Sequence, residues 1–264
     1  MKTFTIGKKK IVLKEEWMVG FITTWIVGLL AHAYRFFNFL PIWDSIYNFT
    51  GVGSTYTLGR WFLGYAGLIT SMFDLPWVNG AFSLFYISIV VILLTEMFEI
   101  KNKGMIVLCA AIFVSFPTVV SSFAYMYTAD AYLLAFLLAT LAVYLTWCVK
   151  KWGTIAGMVC LAFAMGIYQA YATVAIVLVL LYIIRQFVIE KLDFLEAVRK
   201  DLKYLGMLVG GAVLYAVILK ITLIRYNITL PGYQGIGALG IMSLGQYKAA
   251  LQKTLYHFRL ILGM

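Results

Sequence analysis

Asp44, Asp74 and Asp130 are the residues of this chain whose type and position suit them to chemistry. Each stands in a short polar stretch between long apolar runs. Asp44 lies in NFLPIWDSIYNFTGVGSTYTLGR, residues 38–60; Asp74 precedes Leu75 and Pro76; Asp130 follows the hydroxyl-rich SFPTVVSSFAYMYT. A carboxylate there can take the proton of an attacking hydroxyl or hold a divalent ion against a phosphate. An acid at the edge of an apolar phase is costly to place, which makes it a functional candidate by default. The competing reading of each is a turn or helix cap. The other eight of the eleven acids, Glu15, Glu16, Glu96, Glu99, Glu190, Asp193, Glu196 and Asp201, sit among lysines and arginines.

Cations and aromatics supply a second set. Arg60, Lys248, Lys253 and Arg259 can clamp a phosphate or pyrophosphate, or simply snorkel to headgroups. Tyr125, Tyr127, Tyr168 and Tyr171 can stack on a sugar or belong to an interfacial belt. Gln169, at the end of an apolar helix, is a hydrogen-bonding residue for ligand or for helix packing. Cys109, Cys148 and Cys160 form no CxxC, and His32 and His257 are solitary, so no nitrogen or sulfur metal set is visible. No cofactor is called for; a divalent cation held by carboxylates stays open.

The elements that must position these residues are membrane helices. Of 264 residues 63% are hydrophobic and 12% charged, with mean hydropathy +0.93, against about 25% charged in a soluble domain. The fold class predicted is all-α, a polytopic transmembrane helical bundle with about seven crossings, near residues 17–37, 78–98, 105–123, 131–148, two within 153–184, and 204–224. Residues 61–73 are apolar but too short to span and predict a re-entrant or interfacial helix. The stretch 153–184 would fit one tilted helix or two short ones. Two crossings keep the basic segment 185–203 on the same side as residues 1–16, 99–104 and 148–153. Those four segments carry five, two, two and five of the 21 Lys and Arg, and the three opposite turns before residue 225 carry only Arg60. The positive-inside rule then predicts a cytoplasmic N-terminus, a first external loop at 38–77 containing the interfacial helix, a cytoplasmic amphipathic linker at 185–203 and an external tail at 225–264. The whole of 1–264 reads as one transmembrane domain, ending inside an apolar run as the N-terminal part of a longer protein would. The net charge of +10 is accounted for by membrane-surface loops. Without a stripe of basic and aromatic residues, nucleic acid is not a predicted partner.

The runs Asp44-Ser-Ile-Tyr47-Asn48, Gly59-Arg60-Trp61-Phe62 and Phe73-Asp74-Leu-Pro76-Trp77-Val-Asn79-Gly80 are followed in order by Tyr125-Met-Tyr127-Thr-Ala-Asp130-Ala-Tyr132 and Gly166-Ile-Tyr168-Gln169-Ala-Tyr171. This set resembles the GtrII-like glucosyltransferases of bacterial membranes over roughly residues 15–240. The resemblance implies a GT-C type fold that takes a sugar, glucose by the family's name, from a polyprenyl-phosphate donor to a cell-envelope glycan acceptor outside the cytoplasmic membrane. It implies that Asp44, in the first external loop, is the catalytic acid; Trp43 stands where a histidine often precedes it. On that reading Asp130 is a second acid, Arg60 with Lys248 and Lys253 grips the donor phosphate, and Asp74, Tyr127, Tyr168 and Gln169 touch substrate. A transporter or flippase of lipid-linked sugars is the alternative. It calls for charges midway along helices, and Lys220, near a helix end, is the main one. A non-catalytic membrane partner is the third reading.

Overall fold

The computed structural model describes residues 2–6, 9–47, 55–70, 72–230, 243–261 and 263; Asn48 and residues 231–242 of the expected tail lie outside them. An antiparallel hairpin, β1 (Lys2–Ile6) and β2 (Lys9–Leu13), comes first. Helices follow: α1 (Glu15–Phe37), α2 (Trp43–Tyr47), α3 (Leu63–Ala66), α4 (Pro76–Met97), α5 (Lys103–Ser115), α6 (Pro117–Ser122), α7 (Met126–Cys148), α8 (Gly153–Ile167), α9 (Ala172–Arg185), α10 (Phe194–Tyr226) and α11 (Leu244–Ile261). The result is an all-α membrane bundle. Five helical stretches among the described residues are long and apolar enough to cross a membrane.

One of the five, Lys103–Cys148, is bent rather than straight. Phe116 is extended (φ −63°, ψ 140°) ahead of Pro117, because a residue before proline is pushed out of the helical region. A second break at Tyr125 (φ −97°, ψ 59°) starts α7, so α5–α6 and α7 are separate passes. Tyr168, extended at φ −158° and ψ 121°, parts α8 from α9 in the same way. Contacts fix the direction of each pass. A Cβ on Gly20 would meet Val91 and Ile106, whereas the ring of His32 bonds the carbonyl of Val114 at 2.9 Å. Hence α4 runs against α1 and α5 runs with it. Arg185 at the end of α9 pairs with Glu99 at 2.9 Å, while Tyr168 at the start of that pass stacks on Tyr132 near the start of α7. The chain therefore traverses the bundle seven times among the described residues, with 153–185 making two passes as the charges predicted.

One end of the bundle is basic and stapled by ion pairs, Lys14–Glu96 at 2.7 Å, Lys103–Glu15 at 2.6 Å and Arg185–Glu190 at 2.9 Å. The other end holds Asp44, Asp74 and Asp130. Residues 61–70 and 72–73 sit at that end as turns around the four-residue α3, with Trp61, Leu63 and Met72 buried against α7, α8 and α10. Without a hydrophobic drive between helices in lipid, close backbone approach holds such a bundle together. At Gly157 a Cβ would stand 2.5 Å from Thr146 Oγ1 and 2.7 Å from the Ala142 carbonyl, so glycine alone lets α7 and α8 meet this closely. Gly157→Val should lower the unfolding temperature in detergent by an amount matching about 1–3 kcal/mol of overpacking; an unchanged temperature would contradict this packing.

Candidate functional site

At the aspartate end, α7 lifts Asp130 into the junction with α4. Its carboxylate is 3% exposed and accepts from Asn79 Nδ2 at 3.1 Å and from Thr70 Oγ1 at 3.2 Å. Asn79 turns its own Oδ1 to the backbone N–H of Leu75 at 3.0 Å. One buried acid thus fixes both sides of the turn that carries Asp74, because an unsatisfied carboxylate there would be expensive.

Asp74 is the opposite case. It is 8% exposed, and neither carboxylate oxygen has a hydrogen-bond partner. Arg35, at the end of α1, lies near it but spends its N–H groups on backbone: Nε donates to Phe123 O at 2.8 Å, Nη2 to Ala124 O at 3.2 Å and Nη1 to Leu40 O. Arg35 therefore staples α1, the 38–42 segment of the loop and the bend before α7, and lends Asp74 its field. Burial pushes the Asp74 carboxyl above its ordinary range, with Arg35 and the neighbouring Ser45 hydroxyl pulling it partly back. Ser45 closes α2 onto Ile42, accepting from its N–H at 2.9 Å and donating to its carbonyl at 2.8 Å. Asp44, the preceding residue, is exposed on the same short helix.

On the other side of α7 stands Arg60. Its guanidinium lies over the Tyr168 ring at 4.5 Å and donates from Nη1 to Tyr132 Oη at 3.2 Å, while its buried Nε has no partner. The turn before it is clamped. Gln169 Nε2 donates to the Leu58 carbonyl at 2.8 Å and to Tyr215 Oη at 2.9 Å, and Tyr215 donates to the Gly59 carbonyl at 3.0 Å. Gly59 takes φ +71°, and a Cβ there would come 2.6 Å from Gln169 Nε2 and 2.8 Å from Tyr215 Oη. Both the left-handed backbone and the lack of space demand glycine. The half-buried guanidinium is thus a cation already held in position, of the kind that suits a phosphate.

Tyr168 is shared with a lateral groove. Two cavities of about 700 Å³ each adjoin along Ile112, Phe113, Phe116, Phe136 and Val174, between α5–α6 and α9, with α7 as the floor. The first reaches Ser122, Tyr168 and Tyr171, and the second runs down to Phe98 and Ile100 toward the basic end. The lining is almost wholly apolar, so the groove can hold a hydrocarbon chain up to Tyr168, the ring on which Arg60 lies.

Of the residues singled out in the sequence, the structure gathers Asp44, Asp74 and Asp130 around the α1–α4–α7 junction and Arg60, Tyr168 and Gln169 around the far side of α7. Tyr127 packs in the half-buried layer beside Leu63 and Met72. Lys248 and Lys253 are exposed on α11, and no described contact joins them to Arg60. Among the described residues no three acids, histidines or cysteines converge to hold a metal. Sequence reasoning passed over Arg35, Thr70 and Tyr215, and gave no role to Asn79 and Tyr132, which it met only within the runs that carry the family resemblance. Arg35 had a usable signal, a lone cation within an apolar helix; the others are ordinary helix and turn residues until their distant partners are known.

Two outcomes test this geometry. Gly59→Ala should lose about 1–2 kcal/mol of stability from the left-handed backbone and displace the Arg60 cradle, whereas Gly206→Ala, with open space around it, should stay near wild type in thermal unfolding. Asp74 has a folded pKa above its unfolded value, so the folded state holds its proton more tightly. Its contribution to stability is therefore greatest in acid and falls as pH rises through its folded pKa. Asp74→Asn should unfold at a higher temperature than wild type at pH 7.5, by on the order of 1 kcal/mol, with the gap narrowing toward pH 4.5. A gap that widened in acid would contradict the sign.

Searches of curated proteins and of solved structures give no match. The profile of the glucosyl transferase GtrII family matches residues 33–261, a stretch that includes Arg35, Asp44, Asp74, Asp130, the Arg60 cradle and both walls of the groove. The chain belongs to the GtrII glucosyl transferase family.

Proposed function

We propose that the protein transfers glucose from a polyprenyl-phosphate donor to a cell-envelope glycan on the external face of the bacterial cytoplasmic membrane, its N-terminus lying in the cytoplasm. The observation that carries the reading is the apolar groove that runs along α5 and α9 and reaches Tyr168, whose ring carries the Arg60 guanidinium at 4.5 Å. A donor with a long hydrocarbon tail and a phosphodiester head matches that combination, tail in the groove and phosphate at Arg60. The concentration of lysine and arginine at the opposite end supports the orientation.

The chemistry is a single displacement. An acceptor hydroxyl attacks the anomeric carbon, the new glycosidic C–O bond forms, and the bond from that carbon to the phosphate oxygen breaks. Polyprenyl phosphate leaves with the bonding pair, and Arg60 offsets the charge that develops on it. Asp44, exposed at the mouth of the loop, takes the hydroxyl proton as general base. Asp130 acts as the second acid by fixing the 70–79 turn, and Tyr168 and Gln169 keep Arg60 in place. Lys248 and Lys253, on a basic helix at the same face, add attraction for the anionic donor before it docks.

Membranes bearing the protein, supplied with polyprenyl-phosphate glucose and the native envelope glycan, test this. Asp44→Asn should cut kcat by about 10²–10⁴-fold, the usual worth of a general base, with little change in donor KM. Arg60→Ala should raise donor KM by at least about tenfold, the loss of one charge-assisted contact. Transfer by Asp44→Asn at the wild-type rate would remove Asp44 from the reaction.

A further inference from the structure

Residues 244–260 of α11 are all exposed, although one side of that helix is apolar. We propose that α11 lies flat on the lipid surface at the aspartate end of the bundle, with its apolar stripe among acyl chains and its cations on the headgroups of anionic phospholipids. This assignment is independent of the glucosyl-transfer reading.

Spacing defines the apolar side. At 3.6 residues per turn, Leu244, Tyr247, Leu251, Leu255 and Phe258 fall on one stripe along the helix. Each of the five is more than half exposed, so the described residues supply no packing that shelters them. A crossing is not the way they are sheltered either. Gln246, Lys248, Gln252, Lys253, His257 and Arg259 occupy the rest of the helix, and α11 is not one of the five stretches long and apolar enough to span. A helix with one apolar stripe and a basic polar side lies in the plane of the interface instead.

Charge names the occupant. Lys248, Lys253 and Arg259 are present on α11 without a single acid. Lys248 and Arg259 border the stripe on one side, where their aliphatic stems can follow the acyl boundary while their charged ends reach phosphate. Lys253 stands on the side away from the stripe, toward water. Each cation close to an anionic bilayer raises the docked population about fivefold. A second copy of α11 would bring like charges against one another and has no carboxylate to pair them. Position agrees with the lipid surface. Tyr226, the last residue of α10, stacks on Tyr56 at 5.2 Å, at the turn that leads to Arg60. The chain therefore leaves its last described pass at the aspartate end, and α11 is tethered there.

Spin-label EPR on the full chain tests this. Cys109→Ala, Cys148→Ala and Cys160→Ala clear the background, and single labels are placed through Leu251→Cys, Leu255→Cys or Lys253→Cys. The nanodiscs hold phosphatidylglycerol and phosphatidylcholine in equal amounts and no polyprenyl lipid, so a signal comes from bilayer phospholipid alone. Labels at 251 and 255 should collide with oxygen and be shielded from a water-soluble nickel chelate, and the label at 253 should show the reverse. In phosphatidylcholine alone, or with Lys248→Glu and Arg259→Glu together, the ratio of docked to undocked label at 251 should fall at least about fivefold. Equal nickel access at 251 and 253 would overturn the proposal. So would shielding of 251 from both oxygen and nickel, the mark of burial against protein, whether a second copy or more of this chain. Lipid exposure at 251 that neither phosphatidylglycerol nor the charge reversals alter would overturn the assignment to anionic headgroups.

Discussion

The carboxylate of Asp130 organises the end of the bundle where the chemistry is proposed. Buried in α7, it accepts one hydrogen bond from Asn79 of α4 and one from Thr70 of the preceding turn. In a low-dielectric junction such bonds are strong when complete and costly when broken. They set where α4 begins and which way the 70–79 turn faces. Asp74, one residue before the N–H that Asn79 captures, is consequently delivered beside Arg35 and Ser45 rather than to solvent. Arg35 adds the second constraint by tying the end of α1 to the loop after it and to the bend before α7.

From this junction two sides diverge. Toward α8–α10, the Gly59 turn is held by Gln169 and Tyr215 so that Arg60 stands between Tyr132 and Tyr168 with one N–H to spare. Toward α1 and α4, Asp74 stands buried beside Arg35 and Ser45. Asp130 and Tyr132, two residues apart on α7, belong to the two sides in turn, which makes α7 the divider between them.

The sequence revealed the elements more readily than their neighbours. Runs of apolar residues marked the membrane helices. The lysines and arginines of 185–203 split 153–184 into two passes, and the Arg185–Glu99 ion pair shows why this works, since charged ends must gather at one surface. Within the short interfacial piece expected over 61–73, the described helix is only the four residues of α3, and Met72 after it takes a left-handed backbone (φ 55°). Side-chain partnerships were largely hidden. Thr70 and Asp130 are 60 residues apart, and Gly59 and Tyr215 are 156 apart; hydropathy patterns carry no information on such pairings. Lys248 and Lys253 show the same limit, for their sign suggested a phosphate while their placement on the exposed α11 followed from nothing local.

The central claim is that the donor's tail lies between α5 and α9 with its phosphate at Arg60. Photo-crosslinking measures this most directly, using a polyprenyl-phosphate glucose that carries a diazirine along its isoprenoid chain, followed by peptide mapping of the labelled protein. Adducts should concentrate on the groove walls, around Ile112–Phe116 of α5 and its end and Val174–Leu181 of α9, and should be competed away by unlabelled donor. Adducts that instead gather on the outer faces of α1 and α4, or that competition leaves unchanged, would contradict it.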